Sequence, residues 1–299
     1  MRTILKWIGI VVGGLVALII VVVGGMILST TYRLNRTYGV QVEPITIPTD
    51  AASLAIGEHW AEMHCKQCHG EDLSGGPFFE DPDLGYVDTP NLTSGKGGIG
   101  ATMSDANWVR AIRHGIKHDG TSVFIMPSDG FYYLSDADLG GIIAYVKSVP
   151  PVDRETRPRS LAPFAKVLYA LGAFGDLLYA ETIPHDAPRP NAPPVSVTVE
   201  YGEYLVNAHG CWACHGEQLN GHQPSEPGAP FAPNLTPGGE LIGWQEEDFF
   251  TALRSGVTPS GHQLTDSMPW KGLGKMTDDE LKAVWLYLQS QPKLETASK

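Results

Sequence analysis

The stretches "HCKQCHG" (residues 64–70) and "GCWACHG" (residues 210–216) contain all four cysteines of a chain of 299 residues. Each stretch follows the pattern C-x-x-C-H, which comprises Cys65, Cys68 and His69 in the first copy and Cys211, Cys214 and His215 in the second. Because every cysteine falls in one of two copies of the same short pattern, we expect the chain to perform the same chemistry twice.

The sequence around the two motifs is repeated as well. The matching pairs are "PNLT" at 90–93 and 233–236, residues 105–120 and 246–261, Met126-Pro127 and Met268-Pro269, and residues 134–149 and 276–291. The repeated unit is roughly 100 residues long, far longer than the unit of a solenoid. The sequence therefore predicts a duplicated domain.

Each repeat is predicted to be helical at its ends, which places the chain in the all-α class. The last segment of each repeat has apolar residues at i, i+3, i+4 and i+7, the period of an amphipathic helix: Leu139, Ile142, Ile143 and Val146, and Leu281, Val284, Trp285 and Leu288. Ser135 and Thr277 are predicted to cap these helices. The middle of each repeat is rich in Gly, Pro and Asn and has no alternating strand pattern. Such small helical domains need a large apolar cofactor to complete their cores.

C-x-x-C-H is the attachment signal of c-type haem. Two thiols bind the haem vinyl groups, and the adjacent histidine binds the iron. A disulfide or a thioredoxin-like C-x-x-C would need no following histidine, and a zinc site would need both cysteine pairs in one place. The sequence therefore predicts two covalent haem c groups, with His69 and His215 as iron ligands.

The second axial ligand decides what each haem does. A thioether raises the reduction potential, whereas an open position makes the iron reactive. Met126 and Met268 occupy equivalent positions, 57 and 53 residues after the histidines, and each precedes a proline. We predict that both bind iron, with His118 and His262 as the alternative ligands. Met103 and Met276 have no counterparts and are predicted to be packing residues.

Each repeat resembles a class I cytochrome c domain, with a C-x-x-C-H helix, a methionine loop and a C-terminal helix. The resemblance covers about residues 53–149 and 199–292. The phrase "ALRSGVTPSGHQLTDSMPW" (252–270), with "PNLTP" before it, also resembles the multihaem cytochrome c subunits of membrane-bound dehydrogenases. Those subunits usually have three haems, whereas this chain has two motifs and its own N-terminal apolar segment.

Other residues at matching positions are candidates for supporting roles. Arg113 and Arg254 are predicted to bind a haem propionate, because a buried carboxylate needs a cationic partner; the alternative is an exposed helix arginine. Trp108 and Phe249 are predicted either to line the haem pocket or to pack in the core as ordinary aromatic residues. Asn91 and Asn234 are predicted to turn the loop through hydrogen bonds between their side chains and the backbone.

Residues 7–28 contain no charge and are long enough to cross a bilayer as a helix of about 33 Å. Arg2 and Lys6 precede this segment, which predicts a cytoplasmic N-terminus and haem domains on the outer, periplasmic side. A cleavable signal peptide is the alternative, but "LSTTYRLNR" follows and offers no good cleavage site. A retained single-pass anchor in the cytoplasmic membrane is predicted.

The charge of the chain is uneven. The first 40 residues hold four of the 21 basic residues and no acid, so the remaining 17 basic residues face 33 acidic ones. Such a surface excludes nucleic acid as a partner and favours redox proteins with basic surfaces. The alternative interpretation is that the acidity only aids solubility.

The domain organisation follows from these features. The predicted parts are an anchor (1–31), a tether (32–52), cytochrome domain 1 (53–150), a proline-rich connector (151–198), cytochrome domain 2 (199–292) and a tail (293–299). The connector contains an apolar segment, and a helix near 164–180 is predicted there. This helix is expected to be buried against both domains or against a partner subunit, or to touch the membrane surface.

Together these features predict a membrane-anchored dihaem cytochrome c that transfers electrons from haem to haem and is not itself an enzyme. It is expected to work as a tethered carrier or as a subunit of a membrane electron-transfer complex. A dihaem cytochrome c peroxidase is the alternative, although one of its haems needs an open position and both repeats carry Met-Pro. A haem-based gas sensor would need a signalling domain, which the sequence lacks.

Overall fold

A computed structural model describes residues 2–187, 192–225 and 228–298. Its first element is a long helix, α1, Arg2–Asn35. Among the described residues, α1 is the one helix long and apolar enough to cross a membrane, and its apolar stretch packs against no other part of the chain. The helix extends four residues beyond the predicted anchor and has its first buried residue at Thr30.

The first half of the chain is mainly helical, as the fold-class prediction states. Its elements are α2 (Ala51–Trp60), a π-type turn (Ala61–Cys65), α3 (Lys66–His69), β1 (Gly76–Asp81), β2 (Gly85–Thr89), α4 (Asp105–His114), α5 (Ser128–Phe131) and α6 (Asp136–Ser148).

The second half repeats the same order of helices. Its elements are α8 (Val199–Ala208), α9 (Cys211–His215), β4 (Asn220–His222), β5 (Ala232–Asn234), α10 (Glu246–Ser255), α11 (Trp270–Leu273) and α12 (Asp278–Ser290). The connector between the halves contributes β3 (Ser160–Leu161), α7 (Pro163–Ala170) and a 3₁₀ turn (Tyr179–Glu181).

In each half the first and last helices cross at a glycine. A β-carbon on Gly57 of α2 would collide with the backbone of Gly141 in α6, and one on Gly202 of α8 would collide with the backbone of Ala283 in α12. Glycine thus permits both helix pairs to approach with backbones in contact. Ser135 and Thr277 accept hydrogen bonds at the starts of α6 and α12, so the predicted caps are confirmed.

Short strands occur where the sequence predicts none. β1, β2 and β3 form a small antiparallel sheet in that order, and β4 pairs with β5. These strands have only two to six residues, and all but β3 contain Gly or Pro, so they carry no alternating pattern long enough to recognise.

The connector helix is shorter than the predicted 164–180. It ends at Ala170, and the chain then turns through Gly172 and Gly175, both with positive φ. α7 packs against the end of α1 rather than between the two halves, because Leu34, Tyr169 and Leu178 form a small core there. Residues 188–191 of the connector lie outside the described part of the chain.

The predicted tether packs on the first half instead of running free. The amide of Tyr38 donates to the carbonyl of Gly120 at 2.8 Å, and Thr37 pairs with Thr121. Three apolar residues farther along, Val42, Ile45 and Ile47, pack against the main core. The end of α1 is therefore joined to the first half through a docked segment.

The two halves contact each other through equivalent elements. The π-type turn of the first half packs on α11 of the second, and α5 of the first half packs on α8 of the second. Two equivalent side-chain bonds flank these contacts: His59 with Glu280 at 2.8 Å, and Tyr204 with Asp138. One apolar core runs through both halves. The arrangement approximates a two-fold relation between the repeats.

Candidate cofactor sites

The cysteines of each motif lie on short helical elements. Cys65 ends the π-type turn, a kind of helix irregularity that is frequent at functional sites, and Cys211 begins α9. All four cysteines lie in the described residues and no disulfide joins them. Burial raises the pKa of Cys65 and Cys211 to about 12.

The motif histidines are held in the same way in both halves. Nδ1 of His69 lies 2.9 Å from the carbonyl oxygen of Pro90, and Nδ1 of His215 lies 2.8 Å from that of Pro233. Both imidazoles are buried, and burial lowers the pKa of each. A neutral imidazole that donates from Nδ1 presents an unprotonated Nε2.

This geometry fits a haem iron ligand. Nε2 of His215 is buried and has no hydrogen-bond partner in the described structure, which leaves its lone pair for a metal. Among the described residues no three His, Cys, Asp or Glu side chains cluster to hold an ion directly, so the zinc alternative has no support. One histidine beside two thiols on a single helix matches the donor set that haem c requires.

The repeated "PNLT" segment builds the loop that holds each histidine. The side chain of Asn91 accepts from the amide of Thr93 at 2.9 Å, and that of Asn234 accepts from the amide of Thr236 at 2.8 Å. The turn prediction for both asparagines is confirmed. The repeat of "PNLT" was visible in the sequence, but the role of the proline carbonyls was not, because it depends on a backbone atom rather than on a side chain.

A second feature that the sequence did not reveal is backbone strain after each motif. Leu73 and Leu219 occupy equivalent positions and have φ of 57° and 56°, a region that residues other than glycine rarely adopt. The carbonyl of each leucine accepts a hydrogen bond from the Leu of the "PNLT" segment, at 2.9 and 2.7 Å. Such strain persists where surrounding contacts fix it, and it clusters at functional sites.

Met126 and Met268 begin identical turns. Pro127 has φ −77° and ψ 62°, Pro269 has φ −76° and ψ 45°, and in each case the next amide donates to the methionine carbonyl at 2.7 Å. This is an inverse γ-turn. Both methionines are partly buried at the edge of the core, whereas the alternative ligands His118 and His262 are exposed. Iron binding by either methionine stays a prediction.

The paired arginines make the same structural link in each half. Arg113 is fully buried; it donates to the carbonyl of Leu134 and forms an ion pair with Asp136, both at 2.8 Å. Arg254 donates to the carbonyl of Gly274 and pairs with Asp278 at 2.8 Å. Each arginine therefore ties α4 or α10 to the start of the last helix. Arg113 is not an exposed helix arginine, and propionate binding by either residue stays a prediction.

The remaining candidates lie in the core. Trp108 and Phe249 are buried, and the ring of Phe249 lies 5.6 Å from that of Trp285. Met103 and Met276 are buried as well, as expected of packing residues.

Both halves match known protein families. Residues 199–292 match the family described as "Cytochrome c", and residues 52–146 match the one described as "Cytochrome C oxidase, cbb3-type, subunit III". The two matched regions coincide with the two repeats and contain all the residues placed above.

Several curated proteins resemble most of the chain. A protein of Gluconacetobacter polyoxogenes named "Alcohol dehydrogenase (quinone), cytochrome c subunit" is 26% identical over 83% of this chain, and a "Fructose dehydrogenase cytochrome subunit" of Gluconobacter japonicus is 28% identical over 88% of it. The chain spans 58% of the length of each. A "Diheme cytochrome c-type" protein of Cereibacter sphaeroides is 28% identical over 77% of this chain and 83% of its own length.

The repeated histidine and methionine geometry and the two family matches lead to one assignment. The chain belongs to the cytochrome c family, with one cytochrome c domain in each half.

Proposed function

We propose that this chain is a membrane-anchored dihaem electron carrier. Cys65 and Cys68 would hold one haem c with His69 and Met126 as axial ligands, and Cys211, Cys214, His215 and Met268 would hold the second. The haem iron supplies reversible one-electron transfer. The proposed parts are the anchor at 1–31, the two cytochrome domains at 53–150 and 199–292, and the connector between them.

One observation carries this proposal: both motif histidines are buried with Nδ1 bonded to a proline carbonyl. That bond fixes the ring orientation and leaves Nε2 as the atom that would bind the iron. Because it recurs in both halves, both sites are suited to the same ligation. The family matches and the relative named as a dihaem cytochrome support two haems per chain.

The residues of the chain suit electron transfer rather than substrate chemistry. Two thioether ligands would close the irons to outside molecules, and the buried packing around each motif would limit movement on reduction. A dihaem peroxidase needs one open iron position. The identical Met-Pro turns of the two halves give that alternative no support.

The names of the relatives favour a membrane dehydrogenase as the partner. The acidic surface of the domains would suit a donor or acceptor with a basic surface. α1 would hold the domains on the outer face of the cytoplasmic membrane, with Arg2 and Lys6 inside. Such a tether raises the effective concentration of the carrier near its membrane partners.

The test is an optical redox titration of the detergent-solubilised full chain, purified with its haems attached. We expect each chain to take up two electrons and the reduced protein to leave carbon monoxide unbound at neutral pH. Rapid carbon monoxide binding by one haem would favour the peroxidase instead. Uptake of one electron per chain would contradict the assignment of two haem sites.

A further inference from the structure

A segment of the connector, residues 163–175, exposes apolar side chains to solvent. It carries one charge, Lys166, in thirteen residues. One side of α7 is buried through Ala165 and Tyr169. On the other side, Phe164 is 56% exposed and Leu171 is 62% exposed. We call residues 163–175 the membrane-proximal segment, for the reason that follows.

This segment is fixed to the end of the long apolar helix. The hydroxyl of Thr30 donates to the carbonyl of Lys166 at 2.8 Å. The guanidinium of Arg33 lies 5.0 Å from the centre of the Tyr169 ring, and Arg33 also pairs with Glu181 beyond the segment. These contacts, with the small core of Leu34, Tyr169 and Leu178, attach the segment to the helix as one unit.

The position of this attachment along α1 sets its depth relative to a bilayer. The uncharged run ends at Leu28, which is exposed, and Thr30 is buried two residues later. Two residues of helix rise about 3 Å. If the uncharged run fills the hydrocarbon core, the membrane-proximal segment lies at its outer boundary, among the lipid headgroups.

Charge agrees with that depth. The domains are acidic, yet the exposed Arg36 and the half-buried Lys166 lie at this end of α1. Basic side chains next to exposed apolar ones are typical of protein segments that lie in the membrane interface.

We propose that the membrane-proximal segment binds the outer leaflet of the bilayer, with Phe164 and Leu171 inserted among the acyl-chain ends. The surface would then hold the first cytochrome domain at a fixed height and orientation, in place of a domain that swings on a free tether. This inference rests on the membrane anchor of the proposed function and adds a second contact with the same membrane.

The test uses single cysteines in the full chain with its haems attached. Haem attachment consumes the four natural thiols, so an introduced cysteine is the one thiol that reacts. The variants are Leu171→Cys and Phe164→Cys, with Ile242→Cys in the second half as the matched control, because Ile242 is 66% exposed. Ile19→Cys, in the middle of the uncharged run, marks the bilayer core. Each is placed in nanodiscs of a neutral lipid and treated with a polyethylene-glycol maleimide.

We expect Leu171→Cys and Phe164→Cys to react about tenfold more slowly than Ile242→Cys, because lipid covers them. Equal rates at Leu171, Phe164 and Ile242, with Ile19→Cys unreactive, would overturn this inference and leave the anchor intact. Such a result would mean that the segment stays in water above the bilayer. A fast reaction of Ile19→Cys would overturn both this inference and the membrane anchor. An unchanged haem spectrum verifies the fold of every variant.

Discussion

Nε2 of His64 lies 2.6 Å from Nδ1 of His209, and this hydrogen bond joins the two cytochrome domains. The two histidines lie close to the motifs, one residue before Cys65 in one half and two residues before Cys211 in the other. Both are partly buried, and the ring of Trp60 stacks on both, at 5.8 and 5.0 Å between centroids. A pair of imidazoles therefore links the segments just before the two C-x-x-C-H motifs.

Removing one histidine of this pair should cost more than removing both. His64→Leu removes the partner of Nδ1 of His209, which should cost about 1–3 kcal/mol of the free energy of unfolding. The double variant His64→Leu/His209→Leu leaves neither ring nitrogen without its partner. Its loss of stability should therefore be smaller than the sum of the losses in the two single variants. Denaturant unfolding of the holoprotein measures all three. Additive losses would show that the two imidazoles do not interact.

The same pair should make the domain interface sensitive to acid. Burial lowers the pKa of His64 to about 4 and holds that of His209 well below its ordinary value of 6.5. Below pH 6.5 the two histidines therefore bind protons in the unfolded chain but not in the folded chain. The free energy of unfolding then falls by about 1.4 kcal/mol per pH unit for each proton bound. The measurement is the denaturation midpoint between pH 7.5 and 4.5.

The double variant His64→Leu/His209→Leu is the control for this pH dependence. His59 contributes with the opposite sign, because its hydrogen bond with Glu280 raises its pKa and its stabilisation is lost as pH rises through that value. That contribution remains in the double variant, so the difference between the two proteins isolates the buried pair. Identical pH profiles would contradict the assignment of neutral imidazoles at the interface.

Two equivalent glycines at the domain interface should differ in tolerance. A β-carbon on Gly272 of α11 would collide with the carbonyl oxygen of Met63, whereas one on Gly130 of α5 would meet the carbonyl of Ala208 at an ordinary 3.4 Å. Gly272→Ala should destabilise the protein by about 1–3 kcal/mol through overpacking. Gly130→Ala is the matched control and should change stability by less than about 0.5 kcal/mol. Equal denaturation midpoints for both variants would argue against this packing of the halves.

Each methionine should account for half of the sulfur-ligation signal. Met126→Ala and Met268→Ala each remove one thioether, so each variant should lose about half of the weak long-wavelength absorption band typical of ferric haem with a methionine ligand. The reduction potential of one haem should fall, and the reduced variant should bind carbon monoxide at that iron. His118→Ala and His262→Ala serve as controls and should leave the band unchanged.

The repeat made much of this architecture predictable. Two copies of C-x-x-C-H and Met-Pro, and the apolar period of the last helix, indicated two helical domains with equivalent sites. The role of Pro90 could not be predicted because its carbonyl group, a backbone group that every residue has, makes the hydrogen bond. The positive φ of Leu73 could not be predicted either, because leucine rarely adopts that conformation. The connector helix was predicted too long because hydrophobicity continues past Gly172, where the backbone turns.

Contacts between distant parts of the chain were also out of reach. His64 and His209 are 145 residues apart, and their contact depends on how two folded domains pack. The apolar residues of the connector indicated a buried helix, but composition alone does not distinguish burial in a domain from packing against α1. The docking of the tether on the first half could not be predicted for the same reason, because hydrogen bonds such as that from Tyr38 to Gly120 form only in the folded chain.

The most direct test of the central claim is the mass of the intact chain after denaturation. The protein is expressed with its membrane segment in a host that attaches haem c, extracted in detergent and unfolded before mass spectrometry. The account predicts the chain plus two haems, falling to one haem in the variant Cys65→Ala/Cys68→Ala and in the variant Cys211→Ala/Cys214→Ala. A chain that carries one haem or none would contradict it.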